Sequence, residues 1–223
     1  MFSPSPNAMS ARAAAGAAFA SLSPEQCQQL HWASLEILER TGARLYSQPA
    51  LDLARKGGAD ISDGNLVRFP AGMVEKALIT APKRLVLCDR YGRRAMPIEG
   101  RRCFYGPGSD TLNIIDHRTG ARRKPILQDV KEGTLLCDAL PHIDFVMSMV
   151  LPTDVNTAVC DRHQMEVMLT YTTKPIVFVT YDMAGCRDAV AMAEAVAGGA
   201  DALRRNPLVA CYINVTTGLR HNA

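Results

Sequence analysis

From residue 143 onward, short unbroken apolar runs alternate with stretches of helical periodicity. "IDFVMSMV" (143–150), "PIVFVTY" (175–181) and "PLVACYINV" (207–215) are apolar on both faces, as strands covered on both sides require. "TAVCDRHQMEVMLTYT" and "GCRDAVAMAEAVAGG" lie between them and read as helices. Asp144, Ile176 and Leu208 start successive strands, 32 residues apart each time. Such a uniform βα repeat predicts a parallel sheet covered by helices. No Gly-rich dinucleotide loop follows its first strand, which favours a (β/α)8 barrel over a doubly wound sheet. Ahead of these units lie a short strand, "RRCFYG", and a hairpin, "TLNIIDHRTGARR", turning at His117–Gly120. The helix "LQDVKEGTLLCDAL" follows, with Val130, Leu135, Leu136 and Leu140 on or near one face. Residues 101–223 therefore read as a partial (β/α) barrel of about four strands.

The preceding stretch has a different rhythm. Ser23-Pro24-Glu25-Gln26 is a capping box with proline at the first helical position. The helix it opens carries Cys27, Leu30, Ser34, Ile37 and Leu38 and stops at Gly42. A second helix, from about Pro49 to Lys56, ends at Gly57-Gly58. "ISDGNLVRF" alternates around Asp63-Gly64, a hairpin signal. A helix bracketed by prolines, "PAGMVEKALITAP", and a second hairpin, "RLVLCD" to "AMPIEG", complete residues 21–100 as a small α+β cap. Residues 1–20 are Ala-rich and low in complexity. They lack the basic start and strongly apolar centre of a secretory signal, so a disordered tail is expected. The expected fold class is α/β: the N-terminal half of a (β/α)8 TIM-type barrel behind a small α+β cap.

Composition narrows the function. Hydrophobic residues make up 48% and charged residues 21% of the chain, ordinary globular usage. A net charge of +3 without any sustained Lys/Arg run points away from nucleic acid. No apolar stretch reaches the ~18–20 residues of a membrane span. The seven cysteines (27, 88, 103, 137, 160, 186, 211) are scattered, with no CxxC pair, which fits reduced thiols in the cytoplasm.

In a βα barrel the chemistry sits at the C-terminal ends of the strands. Those ends read Tyr105-Gly106-Pro107-Gly108-Ser109-Asp110, Pro152-Thr153-Asp154, Thr180-Tyr181-Asp182 and Asn214-Val215-Thr216-Thr217. They hold carboxylates, hydroxyls, an amide and tyrosine rings, but no Lys or His. A phosphate would want Arg, Lys or a helix N-terminus. Rings together with carboxylates suit a quaternary ammonium. Two positions have a second reading: Asp154 and Asp182 are equally suited to cap the next helix. Gly106 and Gly108 either admit close backbone approach to a ligand or form a tight turn. Cys160 and His163 are spaced i, i+3, yet no second pair has zinc spacing, so no metal site is expected. A GxSxG nucleophile elbow is missing.

The ordered series "LHWASLEILERTGARL", "ALDLARKGGADIS", "NLVRFPAGMVEKALITAPKRLVLCDR", "YGPGSDTLNIIDHRTGARRKPILQDV", "LPHIDFVMSMVLPTDV" and "TTKPIVFV" resembles the trimethylamine methyltransferase family over roughly residues 22–217. These are corrinoid-dependent methyltransferases that include pyrrolysine-free glycine betaine relatives. The resemblance implies a (β/α)8 barrel with N-terminal additions and a chain about twice as long, of which this would be the N-terminal half. It further implies methyl transfer from an N-methylated amine, such as trimethylamine or glycine betaine, to a corrinoid (cobalamin) carried by a partner protein and not bound tightly by this chain. Under that chemistry, strand-end position makes Tyr105 and Tyr181 candidates to face the ammonium and Asp110 or Asp154 candidates to balance its charge. Asn214 would bond a substrate carboxylate, Thr216 would face the substrate, and Gly106 and Gly108 would let backbone approach.

Two rival readings stand beside this one. The chain is an inactive fragment or structural half-barrel, whose open sheet edges invite pairing with a second copy. Half a barrel lacks tens of core side chains at about 1.5–3 kcal/mol each, against a net stability of about 5–15 kcal/mol, so marginal stability is expected. An unrelated barrel lyase or aldolase would want a Lys or a metal set at a strand end, and the four ends carry neither.

Overall fold

The computed structural model describes residues 20–100, 102–213 and 218–221. Among these the chain is mixed α/β, and it divides into two compact units. One holds Arg84–Ile213; the other joins Ala17–Lys83 to Asn214–Ala223.

The N-terminal unit follows its capping and turn chemistry. Ser23 Oγ accepts from Gln26 N at 3.3 Å and Gln26 Oε1 accepts from Ser23 N at 2.9 Å, which closes the capping box that starts α1 (Pro24–Glu36). The helix loosens into a π-helical turn, Ile37–Thr41, and ends at Gly42. Gly42 has φ +72, and a Cβ there would sit 2.4 Å from the Val67 carbonyl oxygen, so only glycine fits. The expected apolar stripe is not the buried one. Cys27, Leu30, Ser34 and Ile37 are exposed, and Leu35 is the buried residue of α1. Strands β1 (Ala43–Leu45), β2 (Asp60–Ser62) and β3 (Leu66–Arg68), helix α2 (Gln48–Lys56) and helix α3 (Ala71–Thr80) follow. The β2–β3 hairpin turns through Asp63 (φ 49) and Gly64 (φ 77), two successive positive φ values as a type I′ turn needs. Leu45, Leu51, Ala54, Ala59 and Val67 make this unit's core.

The larger unit opens with the hairpin β4 (Leu85–Cys88) and β5 (Arg94–Ile98), then β6 (Ile114–Ile115) and β7 (Arg122–Arg123). Arg123 clamps this second hairpin to the next helix. Its Nε donates to Asp116 at 2.8 Å, and its two terminal nitrogens donate to Asp129 at 2.7 Å each. Helix α4 (Leu127–Ala139) buries Val130, Thr134 and Cys137, an i, i+4, i+7 stripe. Leu135, Leu136 and Leu140, expected near the buried face, are exposed. Thr134 can be buried because its hydroxyl donates to Val130 O at 2.7 Å. A 3-10 turn, Thr157–Val159, leads into α5 (Cys160–Tyr171); β8 (Ile176–Phe178), α6 (Met183–Ala197), a short α7 (Ala200–Arg205) and β9 (Val209–Cys211) follow.

Apart from the two hairpins, four extended segments of this unit, beginning at Tyr105, Asp144, Ile176 and Val209, are parallel and lie in sequence order. Asp144 N donates to Tyr105 O, Met149 N to Gly108 O and Leu151 N to Thr111 O. Val146 bridges Ile176 in parallel, and β8 pairs β9 as Ile176↔Val209, Val177↔Ala210 and Phe178↔Cys211. The stretch 143–150 is not the continuous strand its apolar run predicts; only isolated bridges at Val146 and Val150 form. Met149 explains this, since its φ of 62 breaks the extended ladder and turns it against Gly133 and Cys137 of α4. Val146, Met165, Met168, Ile176, Phe178, Ala189 and Ala193 form the core between these segments and α5 and α6. Finally, β10 (Arg220–His221) pairs in parallel with β1, extending the N-terminal sheet to the order β10-β1-β3-β2.

Candidate functional site

The C-terminal ends of the parallel segments bring together a group of polar side chains that the helix α5 start helps to build. Asp110 follows the first segment with its backbone in the left-handed region, φ 56, a conformation that costs free energy in any non-glycine residue. Its Oδ1 is approached by Gln164 Nε2 at 3.3 Å and by Ser148 Oγ at 3.5 Å. Gln164 is 2% exposed, and the same Nε2 donates to Val150 O at 2.8 Å. With two acceptor oxygens in front of it, that end of the amide must be the NH2 group.

Tyr181 lies close enough to feel this group. Half of its surface (51%) is open. Even so, the burial of its other half, and then the nearby carboxylates of Asp110 and Asp161, hold the phenol well above its usual value. Cys160 is fully buried. Burial pushes its thiol up to about 11, with the carboxylates of Asp110, Asp161 and Asp154 adding to the effect, so it is an uncharged thiol at neutral pH.

Negative charge exceeds positive charge here. Arg162 is shared by three carboxylates: Asp161 at 3.1 Å, Asp188 at 2.9 Å and Asp182 at 3.6 Å. Asp110 and Asp154 have no ion-pair partner among the described residues. Asp161 is 3% exposed, and its Oδ2 is buried with no hydrogen-bond partner among the described residues. It faces Gly185, where a Cβ would stand 2.2 Å from that oxygen. A buried, incompletely satisfied carboxylate is costly and adds to the negative potential of this end.

The other sequence candidates fall in several places. Asp154 Oδ1 accepts from Leu127 N at 2.8 Å, so it holds the start of α4. Asp182 caps α6, accepting from Gly185 N at 2.6 Å. Tyr105 is 68% exposed, and its backbone N and O both bond Asp144. Gly106 is needed for packing: a Cβ there would meet the Phe145 ring at 2.5 Å, whereas Gly108 has open space. Asn214 and Thr216 lie outside the described residues. Cys160 and His163 do not converge, since the thiol faces Pro152 O and the imidazole lies 3.8 Å from Glu166.

Sequence reasoning missed Ser148, Asp161 and Gln164. A signal existed: Asp161 and Gln164 are polar residues on the buried stripe that Met165 and Met168 continue. Tyr212, half exposed at the end of β9, was also missed. It pairs its N–H with Phe178 O and, by strand alternation, sits opposite the core-facing Cys211.

Comparison with known proteins identifies the family of the chain. A family model described as trimethylamine methyltransferase (MTTB) matches residues 5–223. The trimethylamine methyltransferase MttB of Desulfitobacterium hafniense (strain DSM 10664 / DCB-2) is 34% identical over 206 residues, which cover 92% of this chain and 42% of that protein. A glycine betaine methyltransferase of Desulfitobacterium hafniense (strain Y51) is 26% identical over 202 residues, 90% of this chain and 42% of the relative. MttB1 of Methanosarcina mazei is 23% identical over 155 residues, 67% of this chain and 31% of its own length. The chain thus spans less than half the length of the curated relatives it matches, and across that span it belongs to the trimethylamine methyltransferase family.

Proposed function

We propose that the four parallel segments are the first strands of a (β/α)8 barrel, and that their C-terminal ends form part of a binding site for an N-methylated ammonium. The sequential order of the segments, with helices between them, supports the barrel reading. The observation that carries the ligand reading is Asp110: a carboxylate without an ion-pair partner among the described residues, whose charge reaches the half-open Tyr181 at the end of the third segment. A methylated ammonium cannot donate strong hydrogen bonds once it is quaternary. It is recognised by ring faces and by unpaired negative charge, and this face supplies both. Tyr105, expected at a strand end, pairs instead with Asp144 where the second segment starts, five residues before Asp110, and is not part of the proposed site. Asp154 contributes charge only, since one of its oxygens is committed to Leu127 N.

The reaction proposed for the whole protein is the methyl transfer expected of its family, with trimethylamine or glycine betaine as the donor class. Cys160 and His163 do not form a cobalt-ligand pair: the thiol is buried and protonated, and His163 stands beside Glu166. Following the family resemblance, the corrinoid is assigned to a partner protein, where it would accept the methyl group as a neutral amine leaves. This chain's part is to bind and orient the ammonium and to exclude water around it. All seven cysteines are free, and no described helix is long and apolar enough to cross a membrane; a cytoplasmic setting is proposed on the free thiols.

Calorimetry with glycine betaine tests the site. Asp110→Asn is expected to weaken binding about tenfold, the scale of losing a nearby opposite charge in a partly desolvated site. Unchanged affinity in a folded variant would remove Asp110 from the site.

A further inference from the structure

We infer that Gln164, assisted by Ser148, is a positioning residue that aims the second oxygen of Asp110 at the ammonium and so sets the preference for a trimethylammonium head over an uncharged head of the same shape. The inference rests on the reading of Asp110 given above. Both side chains address one oxygen, Oδ1, at 3.3 and 3.5 Å. No described residue bonds Oδ2. Gln164 is buried and anchored by its 2.8 Å bond to Val150 O, and Ser148 is 5% exposed. One amide therefore joins three elements: the end of the first segment through Asp110, the end of the second through Val150, and the first turns of α5.

The backbone gives this arrangement its purpose. Asp110 sits at φ 56 and Met149, in the adjacent segment, at φ 62. Two strained residues side by side persist only where surrounding contacts over-determine them, and such strain gathers at functional sites. A carboxylate on a strained loop would otherwise sample several rotamers and face water. Fixing one oxygen with neutral donors leaves the carboxylate charged and directional at the other oxygen. A Lys or Arg in place of Gln164 would neutralise it, and a Leu would release it. The amide is thus the side-chain type that orients the charge without cancelling it.

A structural role and a positioning role separate when two ligands of the same shape are compared. Glycine betaine and 3,3-dimethylbutanoate share a carboxylate and a trimethyl head and differ in the positive charge. The ratio of their dissociation constants, measured by calorimetry on the 223-residue chain, reports the value of that charge. The wild-type chain is expected to prefer betaine. Gln164→Leu is expected to lower the preference about tenfold, the scale of a lost hydrogen bond to a charged group, and Ser148→Ala to lower it less, in the same direction. If both variants fold and lose affinity for the two ligands equally, Gln164 only packs and the inference is overturned, while the Asp110 reading survives. Should Gln164→Leu fail to fold, Ser148→Ala decides alone, and an unchanged ratio there overturns the inference. A wild-type chain that binds the two ligands equally, or neither, overturns the Asp110 reading and this inference with it.

Discussion

The two ends of the parallel segments are built on opposite principles. At the N-terminal ends, polar groups are matched to partners. Asp138 Oδ1 accepts from Thr172 Oγ1 at 2.8 Å, from Thr173 N at 2.7 Å and from Thr173 Oγ1 at 3.1 Å. Lys174 Nζ donates to the carbonyls of Cys137 and Leu140, each at 2.6 Å, and so closes the last turn of α4. The β4–β5 hairpin adds backbone bonds from Cys88 N to Pro207 O and from Arg90 N to Thr173 O. Two Arg90 guanidinium nitrogens are the exception, buried without a described partner. At the C-terminal ends the balance is reversed: excess carboxylate, two strained backbone positions, a buried oxygen without a partner and half-open tyrosine rings. One end satisfies its polar groups and the other leaves charge and strain unrelieved, which is the division that the proposed barrel and its site would require.

The comparison breaks most easily at Asp138. Asp138→Ala leaves the Thr173 N–H and the buried Thr172 hydroxyl without their acceptor, which is expected to cost about 2–3 kcal/mol in urea unfolding. Betaine binding by whatever remains folded should not change. Loss of binding with intact stability would show that the two ends are not separable. The same residue carries a pH signature. Burial pushes the Asp138 carboxyl up, but the Thr173 N–H, the Thr172 and Thr173 hydroxyls and the Lys174 charge outweigh it and hold the carboxyl below its usual value. A group depressed on folding stabilises above its unfolded pKa, about 3.9, and that contribution is lost as pH falls through the lower folded value. Acid unfolding of the wild type should therefore include a component below about pH 4 that Asp138→Ala lacks.

The two ends also differ in how legible they are in the sequence. Most local signals survived folding. The Ser23 capping box, the Asp63-Gly64 turn and the α4 and α6 spans all describe short-range physics, in which a residue and its near neighbours decide the outcome. Two things were not legible. One was which helix face turns inward: Leu135 and Leu136 lost to Thr134 because packing against Met149 and Val150, far away in sequence, set the stripe. The other was which polar strand-end residues share a site. Asp154 and Asp110 look alike along the chain, yet one bonds the first residue of α4 and the other accepts from Gln164 and Ser148. That distinction depends on contacts spanning 27 residues for Leu127–Asp154 and 54 for Asp110–Gln164, which no local pattern records. Asp161 and Gln164 were the readable exception, as polar residues on an apolar stripe.

The finest test of the comparison concerns what Tyr181 lends to the C-terminal ends, its ring or its hydroxyl. The phenol is held protonated by burial and by the nearby carboxylates, so it brings no charge of its own below strongly alkaline pH. If it serves the ammonium through the ring face, Tyr181→Phe should keep betaine affinity within about threefold, because either ring attracts a cation. Tyr181→Ala should lose about tenfold, the upper range for a desolvated ring–cation contact. If the hydroxyl matters more, as a donor that steadies Asp110, the two variants should be equally impaired. The affinity for 3,3-dimethylbutanoate then separates the cases further: a ring-face role lowers the preference for the cation only in Tyr181→Ala, whereas a hydroxyl role lowers it in both variants. Calorimetry on the two variants with the two ligands therefore decides which part of Tyr181 belongs to the site.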